Sequence, residues 1–296
     1  MIGRRAFLAA AGGVTLLAAT GARAEKPGKF GGKGLADAIA ALEARSGGRL
    51  GVAVLDTGTG QRFGRRADER FPMCSTFKFL LAGAILKRVD EGRERLDRRV
   101  PVTKADLVPY SPFSETRLDG PPPTVAELCE ATVTRSDNAA SNLLLPAVDG
   151  PAGLTAFLRA LGDTQTRLDR IEPSMNSAIL GDPRDTTTPA AMVHSMERLM
   201  LGDALTPASR EQLIAWMVAS RTGDKRIRAG LPKGWRVGDK TGTGHHGTAN
   251  DIAIVWPEGR APLLIASYLT QTADGFKERD AIHAEVARAV AGALAG

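Results

Sequence analysis

The order of strand-like and helix-like segments is the feature of this chain that most restricts its fold. Short apolar runs typical of β-strands occur near both ends, whereas apolar residues at helical spacing dominate the middle. Strands need partners, so the two ends of the chain are expected to build one antiparallel sheet together. The sequence therefore predicts an α/β fold of the α+β type. The sheet is flanked by helices, an all-helical domain is inserted, and the active site lies in the cleft between them.

Glycine and proline residues divide the chain into the segments of this prediction. Strands are predicted at residues 50–55, 61–65, 235–240, 249–256 and 263–270. Helices are predicted around residues 35–42, 75–89, 125–134, 139–148, 153–161, 189–201, 207–219 and 276–294. We therefore expect an α/β domain of residues 25–73 and 222–296 and a helical domain of residues 74–221. The helical domain includes a polar loop, residues 163–187, and loops of this length are usually functional.

The first 24 residues have the pattern of a signal peptide. Arg4 and Arg5 precede an apolar run, residues 6–19, and a small-x-small triplet, residues 22–24, follows it. The alternative is a transmembrane anchor, but the run is too short and too rich in glycine and alanine to span a bilayer comfortably. The paired arginines resemble a twin-arginine export signal. We expect an exported protein, periplasmic or secreted, that has no membrane anchor after cleavage.

Composition and charge argue against several kinds of partner. Of the 296 residues, 43% are hydrophobic and 24% are charged, as in ordinary soluble proteins. The formal charge of +6 falls to +3 when the three arginines of residues 1–24 are removed, which is too little to indicate nucleic-acid binding. There are four histidines and no His-x-His-x-Asp cluster, and the adjacent His245 and His246 cannot easily bind one ion. We expect no metal and no organic cofactor.

Ser75 and Lys78 form the first of four short patterns that carry reactive groups. Residues three apart share one face of a helix, so the hydroxyl and the amine are expected to lie together. A serine hydroxyl needs a base before it can act as a nucleophile, and a desolvated lysine can lose its proton and serve as that base. A serine at the start of a helix is also an ordinary N-cap, so this pattern alone is weak evidence.

Ser136-Asp137-Asn138 is the second pattern, between two helical segments. All three residue types favour turns and helix N-caps, and this is the alternative interpretation of the pattern. In the functional interpretation, Ser136 passes a proton to a leaving nitrogen. In the same interpretation, Asn138 hydrogen-bonds an amide of the substrate.

Lys240-Thr241-Gly242 is the third pattern, at the end of a predicted strand. If this strand lies at the edge of the sheet, Lys240 and Thr241 can hold a carboxylate, and the small residues let a ligand approach the backbone. Arg226 precedes the strand and can add a second positive charge. The alternative is a strand end that turns into the glycine- and histidine-rich residues 244–247.

Glu172 and Asn176 form the fourth pattern, in the long polar loop. A carboxylate and an amide four residues apart can hold one water molecule, and the carboxylate can take its proton for attack on an acyl-enzyme ester. The alternative is a solvated loop acid. An ion pair between Arg170 and Asp185 can close the loop, although exposed ion pairs stabilise a fold by only about 0–1 kcal/mol.

The first three patterns, in this order, are those of serine β-lactamases and penicillin-binding proteins. With Glu172 in the intervening loop, residues 25–296 resemble a class A serine β-lactamase along essentially their whole length. The resemblance implies hydrolysis of the β-lactam amide of penicillins, and of cephalosporins, through a serine acyl-enzyme, which gives antibiotic resistance. It also implies a monomer whose partners are small-molecule β-lactam substrates.

The resemblance also implies a role for each matching residue. Ser75 attacks the lactam carbonyl, and the base for this step is either Lys78 or Glu172 acting through water. Ser136 protonates the leaving nitrogen, and Glu172 activates the water that releases the product. The implied substrate-binding residues are Asn138, Asn176, Lys240, Thr241, Thr243, Arg226 and Tyr110, and the implied oxyanion hole consists of the backbone N–H groups of Ser75 and Thr243.

Both cysteines depart from patterns found in some relatives. Cys129 matches one half of a disulfide whose partner position here is Ala82, and Cys74 matches one half of another whose partner position is Gly244. We therefore predict two free thiols. The second bridge is found in some carbapenem-hydrolysing relatives, so its absence weakly disfavours a dedicated carbapenemase, whereas Thr243 is compatible with cephalosporin turnover.

Two rival functions share the first three patterns. A penicillin-binding DD-peptidase acts on peptidoglycan stem peptides, and a β-lactam sensor is acylated and remains acylated. Glu172 with Asn176 favours a hydrolase over both, because these residues supply the water for deacylation. A sensor would also be fused to a membrane segment and a signalling part, and no such segment is evident in the sequence.

Overall fold

The structure is a computed structural model that describes residues 31–273 and 275–295. The predicted signal peptide, residues 1–24, lies outside the described residues. Within the described part of the chain, no helix combines the length and the apolar character that crossing a membrane requires.

The helices and strands follow the order expected from the sequence, with strands toward both ends and helices between them. The helices are α1 (Lys33–Ser46), α2 (Phe77–Asp90), α3 (Val125–Thr134), α4 (Asn138–Leu144), α5 (Gly150–Ala160), α6 (Pro189–Met200), α7 (Pro207–Val218), α8 (Ile227–Gly230) and α9 (Phe276–Ala295). The strands are β1 (Arg49–Asp56), β2 (Arg62–Arg65), β3 (Phe71–Pro72), β4 (Thr186–Thr187), β5 (Arg236–Thr243), β6 (Ala249–Trp256) and β7 (Leu263–Thr270).

Five strands from both chain ends form one antiparallel sheet in the order β2-β1-β7-β6-β5. This arrangement confirms the predicted mixed fold, and it places β5 at an edge of the sheet, the position that the functional interpretation of Lys240 and Thr241 requires. The short strands β3 and β4 pair separately. Because β5 pairs with β6 along its whole length, it continues to Thr243 and not only to Lys240, where the prediction ended it.

The two faces of the sheet are covered by different helices. Alternate residues of a strand point to opposite faces, so Val52 and Val54 pack in the cluster that includes residues of α1 and α9, whereas Ala53 and Leu55 pack in the cluster that includes residues of α2 and α6. Helix α2 is apolar around most of its circumference, as expected for a helix surrounded by protein. This central helix carries Lys78.

Three local features differ from the prediction. Ser75 does not open the α-helix but lies in a 3₁₀ turn, Cys74–Thr76, that leads into α2. The helix predicted at residues 139–148 ends at Leu144 and continues as a 3₁₀ turn, because Pro146 has no N–H for a helical hydrogen bond. Helix α8 was not predicted, since four residues are too few to show a helical period.

Cys74 and Cys129 are both buried and unpaired, as predicted. Desolvation raises the pKa of each thiol, so neither is a reactive thiolate at neutral pH.

His283 fastens α9 to the sheet. Its Nδ1 accepts a hydrogen bond from Ser267 Oγ at 2.8 Å, and its Nε2–H donates to the carbonyl of Ala249 at 3.0 Å. Burial, with a smaller contribution from Arg226, lowers the pKa of His283 from its usual 6.5 to about 3. The folded protein therefore holds this imidazole neutral.

We predict that His283 contributes to acid denaturation. Below pH 6.5 His283 binds a proton in the unfolded chain, whereas in the folded protein it stays neutral until about pH 3. The free energy of unfolding therefore falls as the pH is lowered through this window, by up to about 1.4 kcal/mol per pH unit. The measurement is the free energy of unfolding by urea at several pH values. His283→Gln should be less stable at pH 7 but lose less stability on acidification; equal slopes for the two proteins would contradict this role.

Candidate active site

Gly242 allows strand β5 to lie directly against the turn that carries Ser75. A Cβ atom at this position would lie 2.7 Å from the carbonyl oxygen of Met73 and 3.2 Å from the backbone nitrogen of Ser75. Any side chain would therefore separate the strand from the turn. The glycine of the third pattern thus has a physical reason: it brings β5 and the start of α2 together.

Ser75, Lys78 and Glu172 meet at one carboxylate oxygen. Ser75 Oγ donates to Glu172 Oε1 at 3.1 Å, and Lys78 Nζ lies 3.2 Å from the same oxygen. Lys78 and Glu172 form an ion pair whose side chains are fully buried. Among the described residues Ser75 and Lys78 share no direct hydrogen bond, so the carboxylate joins the hydroxyl and the amine.

The hydroxyl of Ser136 lies between two lysines. Lys240 Nζ is 3.0 Å from Ser136 Oγ, and Lys78 Nζ is 3.5 Å from it. Lys78 also donates to the carbonyl of Ser136 at 2.8 Å and to Asn138 Oδ1. Because the ammonium donors occupy the lone pairs of Ser136 Oγ, its own proton is left to point elsewhere. This arrangement suits a hydroxyl that gives a proton away.

The two buried lysines have altered acidities. Desolvation lowers the pKa of Lys78, and the charge of Glu172 partly opposes this shift. Desolvation, reinforced by the charge of Lys78, lowers the pKa of Lys240 well below its usual range. A lower pKa increases the neutral fraction of an amine, which can then accept a proton. Both lysines are therefore suited to exchange protons.

Asp137 fixes the loop that carries Ser136. Its carboxylate accepts hydrogen bonds from the N–H of Phe113 at 2.8 Å, the hydroxyl of Ser114 at 2.8 Å and the N–H of Ala140 at 2.8 Å. Ser136 has a φ of 59°, a left-handed conformation that is unusual for a residue other than glycine. Asp137 is therefore the N-cap of α4, as the alternative interpretation of the pattern expected, and its hydrogen bonds also hold Ser136 in this conformation.

Glu172 is held by two asparagines. Asn176 Nδ2 donates to Glu172 Oε2, so the predicted pair is in direct contact. Asn142 of α4 makes two hydrogen bonds to the backbone of Glu172, at 2.9 and 3.0 Å. Glu172 is buried, so it is not a solvated loop acid. The sequence analysis missed Asn142, because nothing in its spacing reveals a contact with a residue 30 positions away.

Asp185 closes the loop around Glu172. The predicted ion pair with Arg170 is present, with Nε–Oδ2 at 2.6 Å, and Asp185 also accepts from the backbone N–H groups of Asp169 and Arg170 at 2.7 and 2.9 Å. The expectation of an exposed pair was wrong, because the side chain of Asp185 is only 1% exposed. Removing one partner of such a buried network costs more than removing an exposed pair.

Several predicted residues line one cleft, with a volume of about 490 Å³. Lys78, Glu172 and Lys240 are buried, and are not among the residues at its surface. Predicted residues that line the cleft are Ser75, Ser136, Asn138, Asn176, Thr241, Thr243, Arg226 and Tyr110.

Two predicted binding groups are already partly engaged by the protein. Asn138 Nδ2 donates to the carbonyl of Pro109 at 2.8 Å, so one N–H of this amide remains for a substrate. Arg226 donates to the carbonyls of Gly242 and Asn250, to Thr243 Oγ1 and to Asp280. It therefore positions Thr243 as well as contributing charge.

Arg221 and Thr222 also line the cleft, and the sequence analysis did not identify them. Thr241 Oγ1 donates to Thr222 Oγ1 at 2.6 Å. Within the described residues the side chain of Arg221 has no hydrogen-bond or ion-pair partner, so it is a cation available at the mouth of the cleft. Both residues lie in an irregular segment after α7 that carries no recognisable motif.

Within residues 31–273 and 275–295, no cluster of three or more His, Cys, Asp or Glu side chains is arranged to hold a metal ion. The chemical groups in and beside the cleft are the hydroxyls of Ser75 and Ser136, two buried lysines whose pKa values are lowered, and the buried carboxylate of Glu172. Together they are the groups expected in a serine hydrolase.

The comparisons with known proteins agree with this class. Residues 34–294 match the model of the β-lactamase enzyme family. The chain is 49% identical over 252 residues to β-lactamase Toho-1 of Escherichia coli, covering 85% of this chain and 86% of that protein. It is 49% identical over 251 residues to β-lactamase L2 of Stenotrophomonas maltophilia, covering 84% and 82% of the two chains.

A solved ancestral class A β-lactamase is similar in structure. It superimposes with a TM-score of 0.86 at 64% sequence identity, over 88% of this chain and 99% of that one. The chain therefore belongs to the β-lactamase enzyme family, in class A.

We predict that Gly242→Ala destabilises the protein by about 1–3 kcal/mol, because the new methyl group forces β5 away from the turn of Ser75. The measurement is the thermal midpoint. Gly34→Ala is a matched control: nothing lies within 4 Å of a Cβ there, so its midpoint should be unchanged or slightly raised. Equal midpoints for the two variants would contradict the close packing of β5.

Proposed function

We propose that this chain hydrolyses the β-lactam amide of penicillins and cephalosporins through an acyl-enzyme on Ser75. The observation that carries the proposal is that Ser75 Oγ and Lys78 Nζ both contact one buried carboxylate oxygen, Oε1 of Glu172. The relatives named above are β-lactamases, which supports the same reaction.

In the proposed acylation, Ser75 Oγ attacks the lactam carbonyl carbon and its proton moves to Lys78 or to Glu172. Ser75 Oγ and Lys78 Nζ both contact Glu172 Oε1, so the proton can pass to the carboxylate directly or through it to the amine, and the lowered pKa of Lys78 favours an amine that can accept a proton. Ser136 then protonates the lactam nitrogen as the C–N bond breaks, with Lys240 replacing its proton from 3.0 Å. We assign the oxyanion hole to the N–H groups of Ser75 and Thr243, since the backbone nitrogen of Ser75 lies beside Gly242, the neighbour of Thr243.

In the proposed deacylation, Glu172 takes a proton from water, which attacks the Ser75 ester. Asn176 contacts Glu172 Oε2 and is placed to orient that water. We assign binding of the substrate carboxylate to Lys240, Thr241, Thr243 and Arg226. An anionic ligand beside Lys240 favours its charged form, so binding should raise the lowered pKa of Lys240.

We assign substrate contacts to Asn138, whose remaining N–H can reach the side-chain amide of the substrate, and to Tyr110 at the rim of the cleft. Tyr110 is 60% exposed, and its carbonyl accepts from the N–H of Asn138 at 3.0 Å. We also propose that residues 74–221 form the helical domain and that the protein is a monomer. We further propose that it is exported to the periplasm by the twin-arginine route, with loss of residues 1–24.

We predict that Ser75→Ala abolishes turnover, because it removes the hydroxyl that donates to the Glu172 carboxylate and that is proposed to form the ester. Steady-state hydrolysis of penicillin should fall to the uncatalysed rate, while the thermal midpoint shows that the variant is folded. Hydrolysis above that rate by the purified variant would rule out Ser75 as the nucleophile.

We predict that Glu172→Ala traps the covalent adduct, because the ester forms but water is not activated. Intact mass spectrometry after mixing with penicillin should show one penicilloyl group per chain, and turnover should fall by about 10²–10⁴-fold. Glu258→Ala, at an exposed turn, is the control and should hydrolyse penicillin like the parent. Unchanged turnover of Glu172→Ala would refute the role in deacylation.

A further inference from the structure

A second cavity, of about 480 Å³, lies at the C-terminal half of α2. It is as large as the candidate active-site cleft and within the range of about 300–1,000 Å³ for small-molecule sites. None of the residues assigned to the hydrolytic site lines it. Arg88 of this cavity is ten residues from Lys78 on the same helix, which corresponds to about 15 Å along the axis. The cavity is therefore separate from the cleft.

The wall of this cavity is partly apolar. It is formed where α2, α5 and the ends of their neighbours meet, so that hydrocarbon groups from four parts of the chain face one space. These groups belong to Ala84, Val148, Phe157, Leu161 and Ala204. Ala84 and Val148 are buried, whereas Phe157 and Leu161 are only half-buried. An apolar ligand would cover the exposed part of these two side chains, and such burial is favourable.

The rim of the cavity is charged and carries one net positive charge. Four basic residues face three acidic ones: Lys87, Arg88, Arg93 and Arg198, with Glu91, Asp149 and Asp203. Most of these charges are paired locally. Arg93 contacts Glu91, which also lies 3.4 Å from Lys87, and Arg198 contacts Asp203 at 2.7 Å. One negative charge on a ligand would balance this excess.

Arg88 is the exception on this rim. Its one ion-pair contact with the described residues is long, 3.5 Å from Nη1 to Asp149 Oδ2, and the side chain of Asp149 is 80% exposed. The Nε atom of Arg88 is buried and has no acceptor within the described residues. A buried N–H without an acceptor is unfavourable, and a guanidinium presents its donors as a fork that fits a carboxylate. Arg88 is thus incompletely satisfied by the protein itself.

We infer that this cavity binds a small monocarboxylate with an apolar body. The carboxylate accepts from Nε and Nη of Arg88 and displaces the exposed Asp149. The apolar body lies against Phe157 and Leu161. This site does not depend on the proposed hydrolytic function, and nothing in its chemistry requires Ser75.

The test is a titration of the protein with octanoate, followed by calorimetry and by backbone amide chemical shifts. The inference predicts saturable binding with shifts at Ala84 and Gly153 and none at Thr241 or Gly242. Arg88→Gln should weaken binding at least tenfold, and Asp149→Asn should retain or tighten it. Octylamine, with the opposite charge, should not bind at this site.

Two variants make the test independent of folding defects. Arg99→Gln removes an exposed arginine outside the cavity and should bind octanoate like the parent. Arg88→Lys keeps the charge but loses the fork, so its affinity should fall below that of the parent. Absence of saturable binding, shifts confined to the cleft, or equal affinity of the parent, Arg88→Gln and Arg88→Lys would overturn the inference, whatever the outcome for penicillin hydrolysis.

Discussion

The buried carboxylate of Glu172 is the constraint around which the rest of the site is arranged. Removing a carboxylate and an ammonium from water is expensive, and the pair is tolerable only when each charge finds its partner and further hydrogen bonds. Lys78 supplies the opposite charge at 3.2 Å, and Asn176 and Ser75 supply donors. The interaction that stabilises the buried charge therefore also places a hydroxyl against a potential base.

Three devices keep this arrangement in place, and each acts on a different segment. The absence of a side chain at Gly242 lets β5 reach the nucleophile turn. The carboxylate of Asp137 holds the loop of Ser136, and that of Asp185 closes the loop of Glu172. Because each device is a buried polar network or a close backbone contact, small displacements of these segments are costly.

The strands and the reactive residues could be predicted from the sequence because local signals mark them. The bounds of β6 and β7 coincide with the predicted runs 249–256 and 263–270, since both strands are buried and end at glycine, proline or polar residues. The four patterns could be recognised because their spacing is local and their order is fixed. The family and fold inferred from them are confirmed by the comparisons.

Most contacts between distant segments could not be predicted, because they leave no local pattern in the sequence. The hydrogen bond from Ser75 to Glu172 joins residues 97 positions apart, and the two between Asn142 and Glu172 join residues 30 apart. Burial reversed one expectation: the Arg170–Asp185 pair is enclosed and not exposed. The sequence analysis also did not identify Arg221, Thr222 or the cavity at Arg88, because tertiary packing and not a sequence pattern defines them.

The most direct test of the account is a crystal structure of the protein with a boronic acid, which forms a tetrahedral adduct with an activated serine. Boron should be bonded to Ser75 Oγ, with one boronate oxygen held between the N–H groups of Ser75 and Thr243. The other oxygen should face Glu172 and Asn176. Boron attached to another residue, or an adduct on Ser75 whose oxygens contact neither Thr243 nor Glu172, would contradict it.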